Sequence, residues 1–256
     1  MSQHFSSDNV AGICADTAHV EPDECGALEF FSNGAKLLVA LTTNGKLTPA
    51  DIQTSVTQRK DIYFPKPRVV TMTQATETGR IYSLDETRAI GDICRQLGLS
   101  LRRYGARFAN ACASLKYSPA EMTWRSGVDV LCFGGTKNGL ALGEAVLFFD
   151  RTLSTDFAYR CKQPVQLASK MRFVAAPWVR TFETGTWLIN ARHANASALR
   201  FADGIAGLAG VELIAPVEAN AVFLSMGCAR RADRRPGQRC LRSRHVGRVL
   251  RLDSMR

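Results

Sequence analysis

No apolar run in this chain of 256 residues is long enough to cross a membrane; the longest pieces resemble Leu37-Leu38-Val39-Ala40-Leu41. The cysteines, at 14, 25, 94, 112, 132, 161, 228 and 240, include no Cys-x-x-Cys pair. That argues against a zinc site or a disulfide framework and for a reducing, cytoplasmic setting. Met1-Ser2-Gln3-His4-Phe5 has neither the basic segment nor the apolar core of a secretory leader. Internal repeats are missing too. Lysine is absent from residues 227–256, where ten arginines face two acids, Asp233 and Asp253. Most of the formal net charge of +10 therefore sits in that segment, and the rest of the chain is nearly neutral.

An apolar fraction of 46% and a charged fraction of 22% are ordinary for a globular protein of one large or two small domains. Short buried strands are predicted at 37–41, 69–73, 99–101, 128–133 and 145–149, with helical patterns between them. Thr48-Pro49-Ala50-Asp51 offers a hydroxyl cap followed by proline at the first helical position. Ser83-Leu84-Asp85-Glu86 has capping-box form, and apolar positions 84, 90, 93, 94 and 97 fall near one face. Further helices are expected at 107–115 and from Ser118. Strands alternating with helices imply an α/β fold with a parallel or mixed sheet covered on both faces. After Asp150 the pattern turns helical over 155–176 and 184–209, with a break near Pro177, before short strands at 211–214 and 221–224. From Gly227 the apolar period disappears, and poor order is expected there.

Several windows could carry chemistry. In Val128-Asp129-Val130-Leu131-Cys132-Phe133-Gly134-Gly135-Thr136-Lys137-Asn138-Gly139, an apolar run ends in a Gly-Gly turn that presents a hydroxyl and then a lysine. An amine fixed and partly desolvated in this way suits Schiff-base chemistry. On its own, the same turn reads better as an exposed lysine after a strand. His19 lies in Cys14-Ala15-Asp16-Thr17-Ala18-His19-Val20, followed by Asp23-Glu24-Cys25-Gly26-Ala27. An imidazole there can stack on a ring and exchange a proton, or can simply be a surface histidine. Arg107, in Tyr104-Gly105-Ala106-Arg107-Phe108-Ala109-Asn110, offers a planar donor suited to a carboxylate. Gln74-Ala75-Thr76-Glu77-Thr78-Gly79 and Ser7-Asp8-Asn9 complete the set.

Taken in this order, the windows resemble the low-specificity L-threonine aldolases, best over residues 14–226. The resemblance implies the fold-type I, aspartate-aminotransferase-like large domain over 1–176. A connecting helix and the start of a small C-terminal domain would follow over 177–226, and an arginine-rich tail over 227–256. It implies pyridoxal 5'-phosphate (PLP) as cofactor, Lys137 as Schiff-base lysine and Thr136 on the cofactor phosphate. His19 would stack on the pyridine ring near the substrate hydroxyl. Gln74 would border the ring, Arg107 would hold the substrate carboxylate or the cofactor, and Ser7 would reach the substrate carboxylate. The implied partners are a small amino-acid substrate, threonine or allo-threonine, and further copies of the chain, with no membrane and no nucleic acid.

Three departures bear on activity. Tyr104 stands where the family has an aspartate that pairs with the pyridine nitrogen, and a phenol is neutral at pH 7. Asn9 runs almost directly into Cys14, leaving no room for the family's phosphate-binding loop. Beyond Met226 the resemblance stops in an arginine-rich stretch of the kind an out-of-frame ending would give. Two other readings therefore stand beside the aldolase: a catalytically inactive remnant of the family, and a nucleic-acid binder acting through its basic tail.

Overall fold

The computed structural model describes residues 10–226 and 248–251. Six strands form the main sheet: β1 (Val10–Ala15), β2 (Lys36–Ala40), β3 (Lys66–Thr73), β4 (Ser100–Gly105), β5 (Val130–Gly134) and β6 (Glu144–Phe148). Their order is β2-β1-β3-β4-β5-β6. The first five run parallel, and β6 returns antiparallel to β5. The mostly parallel α/β sheet expected from the sequence is thus present. Strand β1, which the sequence pattern did not single out, lies inside the sheet between β2 and β3. Its central residues Ile13 and Cys14 are fully buried.

The helices start and stop where local chemistry directs them. Thr48 and Ser83 each close a capping box, with Asp51 and Glu86, at the starts of α2 (Pro49–Thr57) and α3 (Leu84–Leu97). Each box satisfies two backbone N–H groups that the helix leaves without partners. Helix α3 ends at Gly98 in the left-handed conformation, and it buries Leu84, Ile90 and Cys94, as the periodicity predicted. A short α1 (Ala27–Phe31) precedes β2, and α4 (Phe108–Leu115) follows β4. The helix expected from Ser118 is instead a turn leading to a 3-10 segment, Trp124–Ser126.

Gly91 of α3 marks a close crossing, because a Cβ built there would lie 2.5 Å from the Ser126 carbonyl oxygen. Alanine favours helix by about 1 kcal/mol over glycine. Overpacking against a backbone that cannot yield costs more, roughly 1–3 kcal/mol and toward the upper end here. Gly91→Ala is therefore expected to lower the unfolding free energy by about 1–2 kcal/mol, read from the urea midpoint at unchanged slope.

The long helical stretch after Asp150 is in fact several pieces: a 3-10 turn at Arg151–Ser154, α5 (Phe157–Lys162), α6 (Arg172–Glu183) and α7 (Thr186–Ile205). Pro177 lies inside α6 rather than at a break, and the chain turns at Gly185 (φ 67°). At the sixth position of a helix that starts at Arg172, Pro177 gives up one intrahelical bond, the one to the Phe173 carbonyl, and the helix continues past it. The domain boundary expected between 176 and 177 therefore falls within a continuous helix.

Strands β7 (Val211–Leu213), β8 (Ala221–Met226) and β9 (Arg248–Arg251) form a small antiparallel sheet. Residues 248–251, expected to lack order, pair with Ala221–Leu224. The remainder of 227–256 lies outside the described residues.

Three apolar clusters hold the layers together. One, with Ile13, Val70, Met72, Ile90 and Leu101, packs α2 and α3 on the sheet. A second, built on Phe108, Leu131, Phe133 and Trp187, packs α4 and α7. A third, with Ala198, Ala202, Val222 and Leu224, joins α7 to the small sheet. Glu218 adds a polar clip. It accepts from Arg80 Nη1 (2.7 Å) and the Ile81 N–H (2.7 Å), while its own carbonyl accepts from the Ser114 hydroxyl (2.8 Å). Among the described residues, no helix is long and apolar enough to cross a membrane.

Candidate active site

Parallel α/β sheets place ligands beyond the carboxyl ends of their strands. His19 follows β1, Gln74 follows β3, Arg107 follows β4, and Thr136 and Lys137 follow β5. These strands are consecutive neighbours in the sheet, so residues far apart in sequence meet at one edge. Ser7 lies outside the described residues.

A cavity of about 400 Å³ opens beside Lys137, lined by Arg102, Tyr104, Cys132, Thr136, Lys137 and Glu144 among others. Register explains the lining. Tyr104 pairs across to Cys132, Cys132 to Val146, and Gly134 to Glu144. These positions alternate with Leu101, Arg103, Leu131 and Phe133, which are buried, so the lining belongs to the opposite face of β4–β6. The sequence led us to expect both faces of the sheet to be covered, but here Arg102, Tyr104 and Cys132 remain half-exposed.

Lys137 is half-buried in a 3-10 turn, Thr136–Asn138, that follows directly from β5. The Asn138 side chain donates to the Gly134 carbonyl, and Asn190 of α7 donates to the Asn138 carbonyl (3.1 Å), fixing the turn from behind. In front, the Glu144 carboxylate faces the Gly135–Thr136 turn and the charge of Lys137. Glu144 is exposed as a residue, yet partial desolvation of its carboxylate raises its pKa. The polar groups of the turn and the charge of Lys137 pull it back.

His19 is held from three sides. Its N–H donates to Glu77 Oε1 (2.8 Å), its Nδ1 lies 2.9 Å from Asp23 Oδ2, and its Nε2 lies 3.4 Å from Glu24 Oε1. Glu24 Oε1 also accepts from the Tyr104 hydroxyl (3.1 Å), and the His19 and Tyr104 rings are 5.8 Å apart at 43°. Glu24 thus ties the histidine loop to β4. Burial pushes Glu77 above the usual carboxylate range. Burial, and then the charge of Glu24, push Tyr104 up to about 12. Asp16 organises the same loop by accepting from the Thr42 N–H (3.1 Å) and hydroxyl (2.6 Å).

Three of the expected residues are not among the cavity's lining: Gln74, Arg107 and His19, whose ring reaches it only through Tyr104. Gln74 is fully buried, and its amide is committed at both ends to the Tyr82 backbone, by Nε2 to the carbonyl (3.1 Å) and by Oε1 to the N–H (2.9 Å). Arg107 caps the start of α4 and is not among the cavity's lining residues. Glu24, Glu77, Asp16, Glu144 and Arg102 were not singled out from sequence as site residues. The first three lie inside windows that were singled out, and for Asp16 and Glu77 the available signal was an acid within a few residues of a strand's carboxyl end.

The beta-eliminating lyase family model matches residues 1–229. A low-specificity L-threonine aldolase from a Pseudomonas species is 62% identical over 214 residues, 84% of this chain and 62% of its own length. This chain therefore spans about three-fifths of that relative. A solved structure of a Leishmania major threonine aldolase superposes with a TM-score of 0.80 at 25% identity, covering 86% of this chain and 64% of that one. A PLP-bound aminotransferase-like structure from Clostridium difficile, 14% identical, superposes at 0.62 over 87% of this chain and 58% of its own, and so shares the fold-type I architecture. With its strand order, its lysine turn and a family match over most of its length, the chain belongs to the beta-eliminating lyase family.

Proposed function

We propose that this chain binds PLP through Lys137 and cleaves L-threonine and related β-hydroxy-α-amino acids to glycine and an aldehyde. The observation that carries the reading is Lys137, fixed at the end of β5 on the wall of a cavity with Thr136 beside it. A cavity of about 400 Å³ suits a small phosphorylated heterocycle, and it offers an amine, a hydroxyl and a guanidinium. The fit fails at one point. Tyr104 offers a phenol held up to about 12, where the family has a carboxylate for the ring nitrogen.

When bound, the cofactor supplies the electron sink that lets the Cα–Cβ bond break. The residues of this chain do the rest. Lys137 anchors the cofactor by its amine and, once released, moves a proton at the substrate α-carbon. His19, braced by Asp23 and Glu24, takes the proton of the β-hydroxyl. Arg107 and Ser7 are assigned the substrate carboxylate. Gln74 keeps the loop after β3 in shape rather than reaching the ring. Further copies of the chain, in a reducing compartment, complete this reading.

The test is to mix purified chain with PLP, remove free cofactor, record the visible band of lysine-linked cofactor, and then assay aldehyde release from L-threonine. Band and aldehyde together are the expected result, and a folded sample without a band would sink the reading. Tyr104 favours a second reading, in which the chain holds the cofactor but turns over slowly or not at all. A band without aldehyde would select it.

A further inference from the structure

We propose that Arg102 is a phosphate-binding residue of this chain: its guanidinium, held in the cavity by Cys132 and the Tyr104 ring, takes the phosphomonoester of the ligand bound at Lys137. The identity of that ligand rests on the function proposed above.

Arg102 Nε donates to Cys132 Sγ (3.3 Å), and the guanidinium carbon lies 5.6 Å from the centre of the Tyr104 ring. One edge of the fork is thus oriented by the protein, and the other is left for a planar, two-pronged contact. Among the described residues, no carboxylate comes within ion-pair distance of Arg102. The acid that shares the cavity, Glu144, faces the Gly135–Thr136 turn and Lys137, and forms no ion pair with Arg102. Two cations, Arg102 and Lys137, thus share the cavity with one carboxylate, and a ligand phosphate balances the remaining charge.

Position favours phosphate over the substrate carboxylate. Arg102 lies two residues before Tyr104 on the same face of β4, farther from the strand's carboxyl end, whereas Arg107 stands beyond that end.

The test compares the full chain with Arg102→Gln and Arg102→Lys, using PLP, pyridoxal (which lacks the phosphate) and inorganic phosphate as probes. The visible band reports the first two and calorimetry the third. Arg102→Gln is expected to weaken PLP and inorganic phosphate about ten- to a hundredfold, as loss of a charge-assisted contact should, and to leave pyridoxal unchanged. Arg102→Lys should fall between, and it carries the test if the glutamine variant does not fold. Equal losses for PLP and pyridoxal, unchanged phosphate binding in the variants, or no phosphate binding by the parent would each overturn the assignment. A parent that binds inorganic phosphate through Arg102 but shows no visible band would leave the phosphate site standing while removing the proposed function.

Discussion

Lys137→Ala should abolish the visible cofactor band and lower threonine cleavage by at least about a thousandfold, because no other group at the site can replace the covalent amine. Lys137→Arg should do the same, since a guanidinium keeps the charge but does not form the bond. The fold should survive both changes. Lys137 is half-buried, and its turn is pinned by Asn138 and Asn190 rather than by the lysine. Far-ultraviolet circular dichroism and the urea midpoint are therefore expected to match the parent. A Lys137→Ala protein that keeps both band and activity would place the chemistry elsewhere.

The second large effect is a gain. Arg103→Met should stabilise the chain by about 1–2 kcal/mol, the lower part of the range for replacing buried charge with matched apolar volume. Arg103 is fully buried beneath β4. Its guanidinium reaches the Met122 carbonyl, Thr87 Oγ1 (2.9 Å) and Met72 Sδ (3.6 Å), and Phe108 lies 6.0 Å away. Its Nε has no hydrogen-bond partner, and among the described residues no carboxylate pairs with it. Stripping a full charge of water costs several kcal/mol. Releasing two neutral acceptors costs about 1 kcal/mol each, so the desolvation term wins.

Burial lowers the Arg103 pKa to about 10, below its ordinary 12.5. The unfolded chain therefore binds more protons between those values, and stability rises with pH across that window. Below it the charge is present in both states and the cost is constant. Urea midpoints of parent and Arg103→Met at pH 7 check the gain, and a lower midpoint for the methionine chain would refute it. Arg103→Ala should destabilise instead, because the stem it removes leaves a void among Met72, Met122 and Phe108.

The legible parts of the sequence were those written in local chemistry. Both capping boxes could be read from Thr48 and Ser83, and the buried stripe of α3 from its spacing. So could the lysine turn after β5, from its glycines. What could not be read depended on register and three-dimensional neighbours. Strand β1 carries the small residues Ala11, Gly12 and Ala15, so its pattern was weak, yet it is buried between β2 and β3. The partnership of Glu24 with Tyr104 spans 80 residues, and no periodicity reports it. Gln74 looked available because it is polar and follows a strand, while its amide is consumed by Tyr82 eight residues on. Residues 248–251 carry little apolar pattern of their own, but β8 offers an edge to which they add.

Glu218 has a mechanical consequence. Its carboxylate fastens the loop after β3 through Arg80 and Ile81, its carbonyl fastens α4 through Ser114, and the segment carrying it leads straight into β8. A hinge between the small sheet and the β3 loop would have to break these contacts together. The two should therefore open and close in step, with the Ile81 amide exchanging its hydrogen at the same slow rate as those of β8. The histidine loop has no part in that clip: among the described residues its tie to β4 runs through Glu24 Oε1, shared by Tyr104 and His19, and through the neighbouring rings of those two residues.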